Sequence, residues 1–103
     1  GDATRFLERA RGLDPGDPAI ALNLGRAYLV AGRVDDAIRT LEQAAHLEPA
    51  SFYPHLNLAR ARLQRGEVAP ARASLTTAQS IRHNPNFWAD VEHQVTAAER
   101  RGH

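Results

Sequence analysis

The chain has 103 residues, 43% apolar and 24% charged content, and a formal net charge of +1. These values predict one small domain with a conventional core, and they exclude a chain-wide field that would favour nucleic acid or membrane. All 13 basic residues are arginine and cysteine is absent, which excludes disulfides, thiolate metal sites and lysine-based catalysis. Methionine is absent too, so we expect the chain to be a piece of a longer protein.

The first two predicted helices flank Asp17 and Pro18. Residues before Asp17 carry apolar side chains at helical spacing, although Gly12 weakens this segment by about 1 kcal/mol relative to alanine. Asp17 can accept from free backbone amides and Pro18 suits the first helical position, so a second helix is expected to start there. Gly32 predicts its end, because glycine tolerates the left-handed conformation beyond a helix.

The third and fourth predicted helices lie on either side of Pro49. Asp35 and its acidic neighbour favour the N-terminus of the third helix, which ends before Pro49 because a residue preceding proline avoids helical angles. Ser51 is expected to open the fourth helix, with Pro54 in its first turn. Gly66 predicts the end of that helix.

Two further helices complete the chain. Pro70 lies near the start of the fifth, which is predicted to run to about Arg82. Asn84 and Pro85 are expected to cap the sixth, where Trp88 would cover the last apolar groove. Strand signals are absent, so the predicted fold class is all-α.

A period of 34 residues relates two consecutive stretches of the chain. The first stretch carries this pattern: Leu24, Gly25, Tyr28, Gly32, Ala37, Leu41, Ala44 and Pro49. The second repeats the pattern in the same register: Leu58, Ala59, Arg62, Gly66, Ala71, Leu75 and Ala78. A fixed period of this length predicts stacked helical hairpins, because one hairpin has too little core to stand alone.

This pattern resembles the tetratricopeptide repeat family, whose motif reads W-x2-L-G-x2-Y, then A-x3-F, then P. The unit 18–51 matches most motif positions: Ala21, Leu24, Gly25, Tyr28, Ala37, Leu41 and Pro49. The unit 52–85 is looser, because Arg62 replaces the aromatic residue and His83 stands where proline would be.

The resemblance implies a right-handed superhelical stack of about six helices forming a single domain, 1–103. Within it, residues 1–17 would be the second half of a preceding repeat. Residues 18–51 and 52–85 would be whole repeats, and 86–103 a C-terminal capping helix.

The resemblance also implies that the first helix of each hairpin lines a concave groove. The candidate groove residues share that inner face: Leu22, Asn23, Arg26, Val30, Tyr53, Leu56, Asn57, Arg60 and Gln64. Asparagine can donate to and accept from a peptide backbone, and arginine can bind a carboxylate through two parallel bonds. We expect the apolar members Leu22, Tyr53 and Leu56 to be anchors; the alternative is an ordinary solvated surface.

The predicted function is a protein–protein interaction module that binds a peptide or partner protein in this groove. The alternative is a self-assembly segment or an accessory domain of a larger protein or enzyme. Homo-oligomers could form through an edge at Phe6 and Leu7 or at Trp88. No catalytic constellation, metal site or cofactor is predicted, and neither nucleic acid nor membrane insertion is expected. Arg60, Arg62 and Arg65 point around one helix, and Arg62 is expected to pair with an acid.

Overall fold

The computed structural model describes residues 2–102. They form six helices: α1 (Asp2–Leu13), α2 (Pro18–Val30), α3 (Val34–Leu47), α4 (Tyr53–Gln64), α5 (Val68–Ile81) and α6 (Pro85–Arg101). This part of the chain contains no strand, which confirms the all-α prediction. Gly1 and His103, the outermost residues of the predicted first and last segments, lie outside the described residues.

The helices form an elongated stack measuring 43 × 26 × 18 Å. The most extensive contacts pair α2 with α3 and α4 with α5, so these are the two hairpins. Helix α3 also packs on α4, which joins one hairpin to the next, while α1 and α6 cover the two ends. Direct contact between α2 and α4 places the first helices of the two hairpins side by side.

The helix boundaries follow from capping residues at most positions. An Asp17 carboxylate oxygen accepts from the amide of Ala19 at 2.9 Å and so caps α2. Asn84 caps α6 in the same way by accepting from the amide of Phe87 at 3.3 Å. The expectation for α4 was wrong: it begins at Tyr53, with no side-chain cap, rather than at Ser51.

The start of α4 is displaced because the residues around it have other partners. Ser51 belongs to the preceding turn, where its amide donates to the carbonyl of Glu48 at 3.1 Å. Phe52 occupies the cap position, and its ring packs edge-to-face against Trp88 with centroids 5.5 Å apart. Tertiary packing of an aromatic ring thus outweighs the local preference for a serine cap.

Glycines end both hairpin helices that precede a tight turn. Gly32 and Gly66 have φ of 79° and 76°, in the left-handed region that residues with a Cβ avoid. Beyond Gly32 the amide of Arg33 donates to the carbonyl of Tyr28 at 2.9 Å, which is the Schellman arrangement. The turn after α4 repeats it, and these turns reverse the chain so that the hairpins close.

Two apolar clusters form the core, and α4 contributes to both. The first joins α2, α3 and α4: Leu24, Tyr28, Ala37, Ile38, Leu41, Leu58 and Ala61. The second joins α4, α5 and α6: Leu56, Ala59, Leu75, Ala78, Trp88, Val91 and Val95. Trp88 is only 2% exposed, which confirms that it covers the last apolar groove.

Helices α2 and α3 approach closely because residue 25 has no side chain. A Cβ built on Gly25 would lie 2.5 Å from Cδ2 and 2.6 Å from Cγ of Leu41, both inside van der Waals contact. Leu41 is fully buried, so it has little room to move. The equivalent position of α4 is Ala59, also fully buried.

A polar cluster fastens α6 to α5. The Arg72 guanidinium donates to Glu92 at 2.9 Å and, through two nitrogens, to both carboxylate oxygens of Glu99 at 2.9 Å. Gln79 and Thr96 also donate to Glu92. These hydrogen bonds, led by the one from Arg72, lower the pKa of Glu92 from 4.5 to about 2, and those from Glu99 and Glu92 raise the pKa of Arg72.

The close approach at Gly25 predicts that Gly25→Ala destabilises the domain by about 1–3 kcal/mol, the usual range for overpacking a core. Gly12→Ala is the matched control, because no atom lies within 4 Å of a Cβ there. It should stabilise the domain by up to about 1 kcal/mol through helix propensity. Urea unfolding followed by circular dichroism measures both changes, and equal effects at the two sites would contradict the packing argument.

The cluster at Glu92 predicts a loss of stability in acid. Because its folded-state pKa is depressed, Glu92 contributes stability above pH 4.5, and that contribution is lost as the pH falls towards 2. The effect should be modest, since the Glu92 side chain is 38% exposed and water screens the pair. Glu92→Gln should flatten the dependence of the unfolding free energy on pH in this window, whereas Glu48→Gln, which removes an exposed carboxylate, should not.

Candidate functional site

Equivalent pairs of residues link successive units and fix how α2 and α4 sit relative to their neighbours. Tyr28 in α2 donates through its hydroxyl to Glu8 of α1 at 2.5 Å. Burial raises the pKa of Tyr28, and the hydrogen bond to Glu8 raises it further. Exactly one period later, Arg62 in α4 donates to Glu42 of α3 at 3.1 Å. The expected pairing of Arg62 with an acid is thus confirmed.

Arg62 makes a second bond that accounts for its place in the repeat. Its other terminal nitrogen donates to the Ser74 hydroxyl at 2.6 Å. In the preceding unit the equivalent hydroxyl, on Thr40, accepts from Arg11 at 3.4 Å. One arginine therefore supplies both polar links that the first unit obtains from two residues, which explains how the looser unit keeps its hairpin.

On α2, the predicted groove residues are mostly exposed. Asn23 and Arg26 are exposed, and Val30 is 90% exposed. Leu22 is half-buried against the first apolar cluster. Their spacing places Asn23, Arg26 and Val30 on one side of the helix.

On α4, the predicted residues divide into two groups. Tyr53 is 49% exposed, and Arg60 and Gln64 are also exposed. Leu56 and Asn57 are buried, with 7% and 6% exposure. The sequence made Asn23 and Asn57 equivalent, but only the first is presented to solvent.

The burial of Asn57 follows from the position of α4 in the middle of the stack. Its side-chain nitrogen donates to the carbonyl of Tyr53, one turn earlier, at 2.9 Å. Helix α4 contacts α2, α3 and α5, and Leu56 packs in the cluster that contains Trp88. The amide of Asn57 therefore serves α4 itself, and its contact with a peptide stays a prediction.

We call the exposed side of α2 and α4 the candidate face; its members are Asn23, Arg26, Val30, Tyr53, Arg60 and Gln64. Leu22 and Tyr53 meet at its edge, where they line a cleft of about 130 Å³ between α2, α3 and α4. Two of the three predicted anchors are thus brought together, whereas the third, Leu56, is not in this cleft.

The charges of the candidate face differ from those of the helix interfaces. Five arginines make ion pairs with carboxylates: Arg33, Arg39, Arg62, Arg65 and Arg72. Within residues 2–102, Arg26 and Arg60 have no carboxylate partner. Both are exposed, and they occupy equivalent positions on adjacent helices, so their positive charges are available to an external anion.

A third pair of polar residues continues the series onto α6. Pro18, Leu24 and Tyr28 of α2 correspond to Pro85, Val91 and Val95 of α6, each 67 residues later. In this register Asn23 and Arg26 correspond to Asp90 and His93, which are both exposed. The spacing between the two helix-starting prolines carried this signal, which a strict period of 34 missed.

Other kinds of site are not supported within residues 2–102. No group of three or more histidine, aspartate or glutamate side chains is placed to hold a metal ion. None of these helices has both the length and the apolar character needed to cross a bilayer.

Structures similar to this fold include those of a bacterial chaperone, SycD of Yersinia enterocolitica, described as a type III secretion translocator chaperone. One of its structures matches with a TM-score of 0.84 and 25% identity, covering 98% of this chain and 72% of that one. SycD with a peptide of the translocator YopD matches with a TM-score of 0.81 and 26% identity, covering 94% and 74%. An alternative SycD dimer gives 0.81, 27%, 94% and 74%.

Among curated proteins no sequence relative is found. The model of the tetratricopeptide repeat matches twice, over residues 1–51 and 31–89. Together with the likeness to a peptide-binding chaperone, this match supports a protein-interaction module. The chain belongs to the tetratricopeptide repeat family.

Proposed function

We propose that this domain is a protein-interaction module that binds an acidic polypeptide segment along the candidate face. The observation that carries the proposal is the pair of exposed arginines, Arg26 and Arg60, without carboxylate partners in residues 2–102. A guanidinium can hold a carboxylate through two parallel hydrogen bonds, so each arginine can take one acidic side chain. The structure of SycD with a YopD peptide supports the same class of function.

Apolar contacts must add to these charges. A charge-assisted hydrogen bond contributes about 1.5–3 kcal/mol, whereas association itself costs about 4–15 kcal/mol. Leu22 and Tyr53 line one cleft, and Val30 adds a side chain that is 90% exposed. We therefore assign the anchoring role to these three residues and expect affinities on the order of micromolar.

Leu56 and Asn57 have a supporting role in this proposal. Leu56 packs beneath the face in the second apolar cluster, and Asn57 bonds within α4. They hold α4 in place so that Tyr53 and Arg60 are presented. On α6, Asp90 and His93 extend the face, and Asp90 favours a basic residue in the part of the segment that reaches it.

The charged contacts are tested with a peptide selected from a displayed random dodecapeptide library, labelled with fluorescein and measured by anisotropy. We expect selected peptides to be enriched in aspartate and glutamate. Arg26→Gln with Arg60→Gln should weaken binding by at least about 2 kcal/mol, or thirtyfold, because two charge-assisted contacts are lost. Arg5→Gln with Arg9→Gln is the matched control: it removes the same charge from exposed positions on α1.

Two results would contradict the proposal. One is selection of peptides without acidic residues, and the other is equal binding by the groove variant and the α1 variant. Salt provides a further check, since these exposed contacts should weaken as ionic strength rises.

Self-association through α1 is the second candidate function. Phe6 and Leu13 lie seven residues apart on one side of α1, and they are 72% and 83% exposed. Exposed apolar side chains that share a helix face are typical of interaction surfaces. Leu7 packs on the first cluster and Trp88 is buried, so neither supplies an exposed edge. SycD has also been solved as an alternative dimer.

Light scattering after size exclusion tests this second candidate. If α1 mediates a dimer, the mass should rise towards twice 11.3 kDa at high concentration. Phe6→Ser should return it to the monomer value. Val30→Ser, which removes an equally exposed apolar side chain from α2, should not. A mass that stays monomeric at all concentrations would exclude this function for the domain.

A further inference from the structure

A cleft of about 430 Å³ lies where α5 ends and α6 begins. It is lined by Gln79, Arg82, His83, Asn84, Pro85 and Trp88. Neither the repeat pattern nor the candidate face uses this cleft, although it contains an arginine and a histidine.

The guanidinium of Arg82 lies on an aromatic surface beside the cleft. Its Cζ is 4.3 Å from the ring centroid of Phe87 and 5.5 Å from that of Phe52. The two rings meet edge-to-face with centroids 5.4 Å apart, so they hold the guanidinium from two directions. A stacked guanidinium keeps the N–H donors at its edges free for a planar acceptor.

The backbone of Arg82 is also fixed. Its carbonyl accepts from the indole nitrogen of Trp88 at 2.7 Å and from the amide of Asn84 at 3.1 Å. Its own amide donates to the carbonyl of Ala78 at 3.1 Å. Because both the main chain and the guanidinium plane are held, little ordering is needed before an acceptor binds.

No carboxylate in residues 2–102 pairs with Arg82. Glu92 lies near the cleft through its hydrogen bond from Gln79 at 2.9 Å, but it is already bound by Arg72. The charge of Arg82 is therefore balanced by no acid of its own domain, and the complementary ligand group is a carboxylate.

Apolar surface adjoins this charge. Phe87 is 41% exposed and Tyr53 is 49% exposed, and Phe52 stacks on Tyr53 with centroids 4.2 Å apart. Tyr53 also belongs to the candidate face, so the aromatic rings connect that face with Arg82. A ligand that bridges them needs an apolar group next to an acidic one.

We propose that Arg82 and the rings of Phe52, Tyr53 and Phe87 form a subsite for a carboxylate next to an apolar side chain on a partner polypeptide. A polypeptide is preferred to a free small acid because the rings continue directly into the candidate face. The inference rests on the proposed function for the class of partner. It uses different residues, so the two can fail separately.

The probe is the tetrapeptide acetyl-Gly-Phe-Glu-Gly-amide, compared with the same peptide carrying glutamine in place of glutamate. The single tryptophan, Trp88, reports binding, because its indole N–H donates to the Arg82 carbonyl and gives one resolved resonance in a ¹⁵N spectrum. The glutamate peptide should shift this resonance with millimolar affinity. The glutamine peptide should bind at least about tenfold more weakly, since it lacks the charge-assisted bond.

Three variants locate the effect. Arg82→Gln should abolish the difference between the peptides, and Arg82→Lys should keep only part of it, because an ammonium cannot stack and bind in a plane. Arg5→Gln should bind as the parent does. Arg26→Gln with Arg60→Gln should also bind the tetrapeptide normally, even if it loses the longer segment. The helical circular dichroism of each variant should match that of the parent.

Equal binding of the two tetrapeptides, or unchanged binding by Arg82→Gln, would overturn the proposal. A free-acid arm uses 3-phenylpropionate. If this acid bound as tightly as the glutamate peptide, with the same dependence on Arg82, the subsite would be one for small acids and the assignment to a polypeptide would be wrong. Weaker binding of the free acid supports the assignment.

Discussion

The distance between the two helices of a hairpin is set where α3 lies against Gly25 of α2. A side chain at this position would overlap Leu41, which is fully buried. One period later the same place is taken by Ala59 against the region of Leu75, and both residues are fully buried. Close approach at these points lets Leu41 and Leu75 fill the core, and it brings α2 and α4 side by side. The candidate face depends on that proximity.

Links between hairpins have a different character from the packing within them. Glu8 with Tyr28, and Glu42 with Arg62, join equivalent positions through hydrogen bonds at the edge of the core. The acid is kept while its partner changes from a phenol to a guanidinium, so the repeat preserves an interaction and not a residue type. At the last interface the polar cluster of Arg72, Glu92 and Glu99 joins α6 to α5. In the register of α2, Glu92 occupies the place of Gly25.

The distribution of charge connects the stack with its proposed function. Arginines in the interfaces are neutralised by acids of neighbouring helices, which stabilises the stack and leaves no charge for a ligand. Arg26, Arg60 and Arg82 have no such acid within residues 2–102. The first two stand on the candidate face, and the third is stacked on the rings at the end of α5. Unbalanced guanidiniums beside exposed Tyr53 favour a partner with both acidic and apolar residues.

The sequence by itself determined the number of helices, most of their boundaries and the side of each helix that faces the core. Those features depend on local chemistry and spacing, such as the Asp17 cap, the turn at Gly32 and the period of 34 residues. It also determined that Asn23 and Arg26 share one side of α2. Only the tertiary structure decided that Asn57 is buried, that Phe52 displaces the start of α4, and that Arg82 is stacked on aromatic rings. Burial and stacking depend on which helices meet, and a middle helix such as α4 has neighbours on several sides that its own sequence does not reveal.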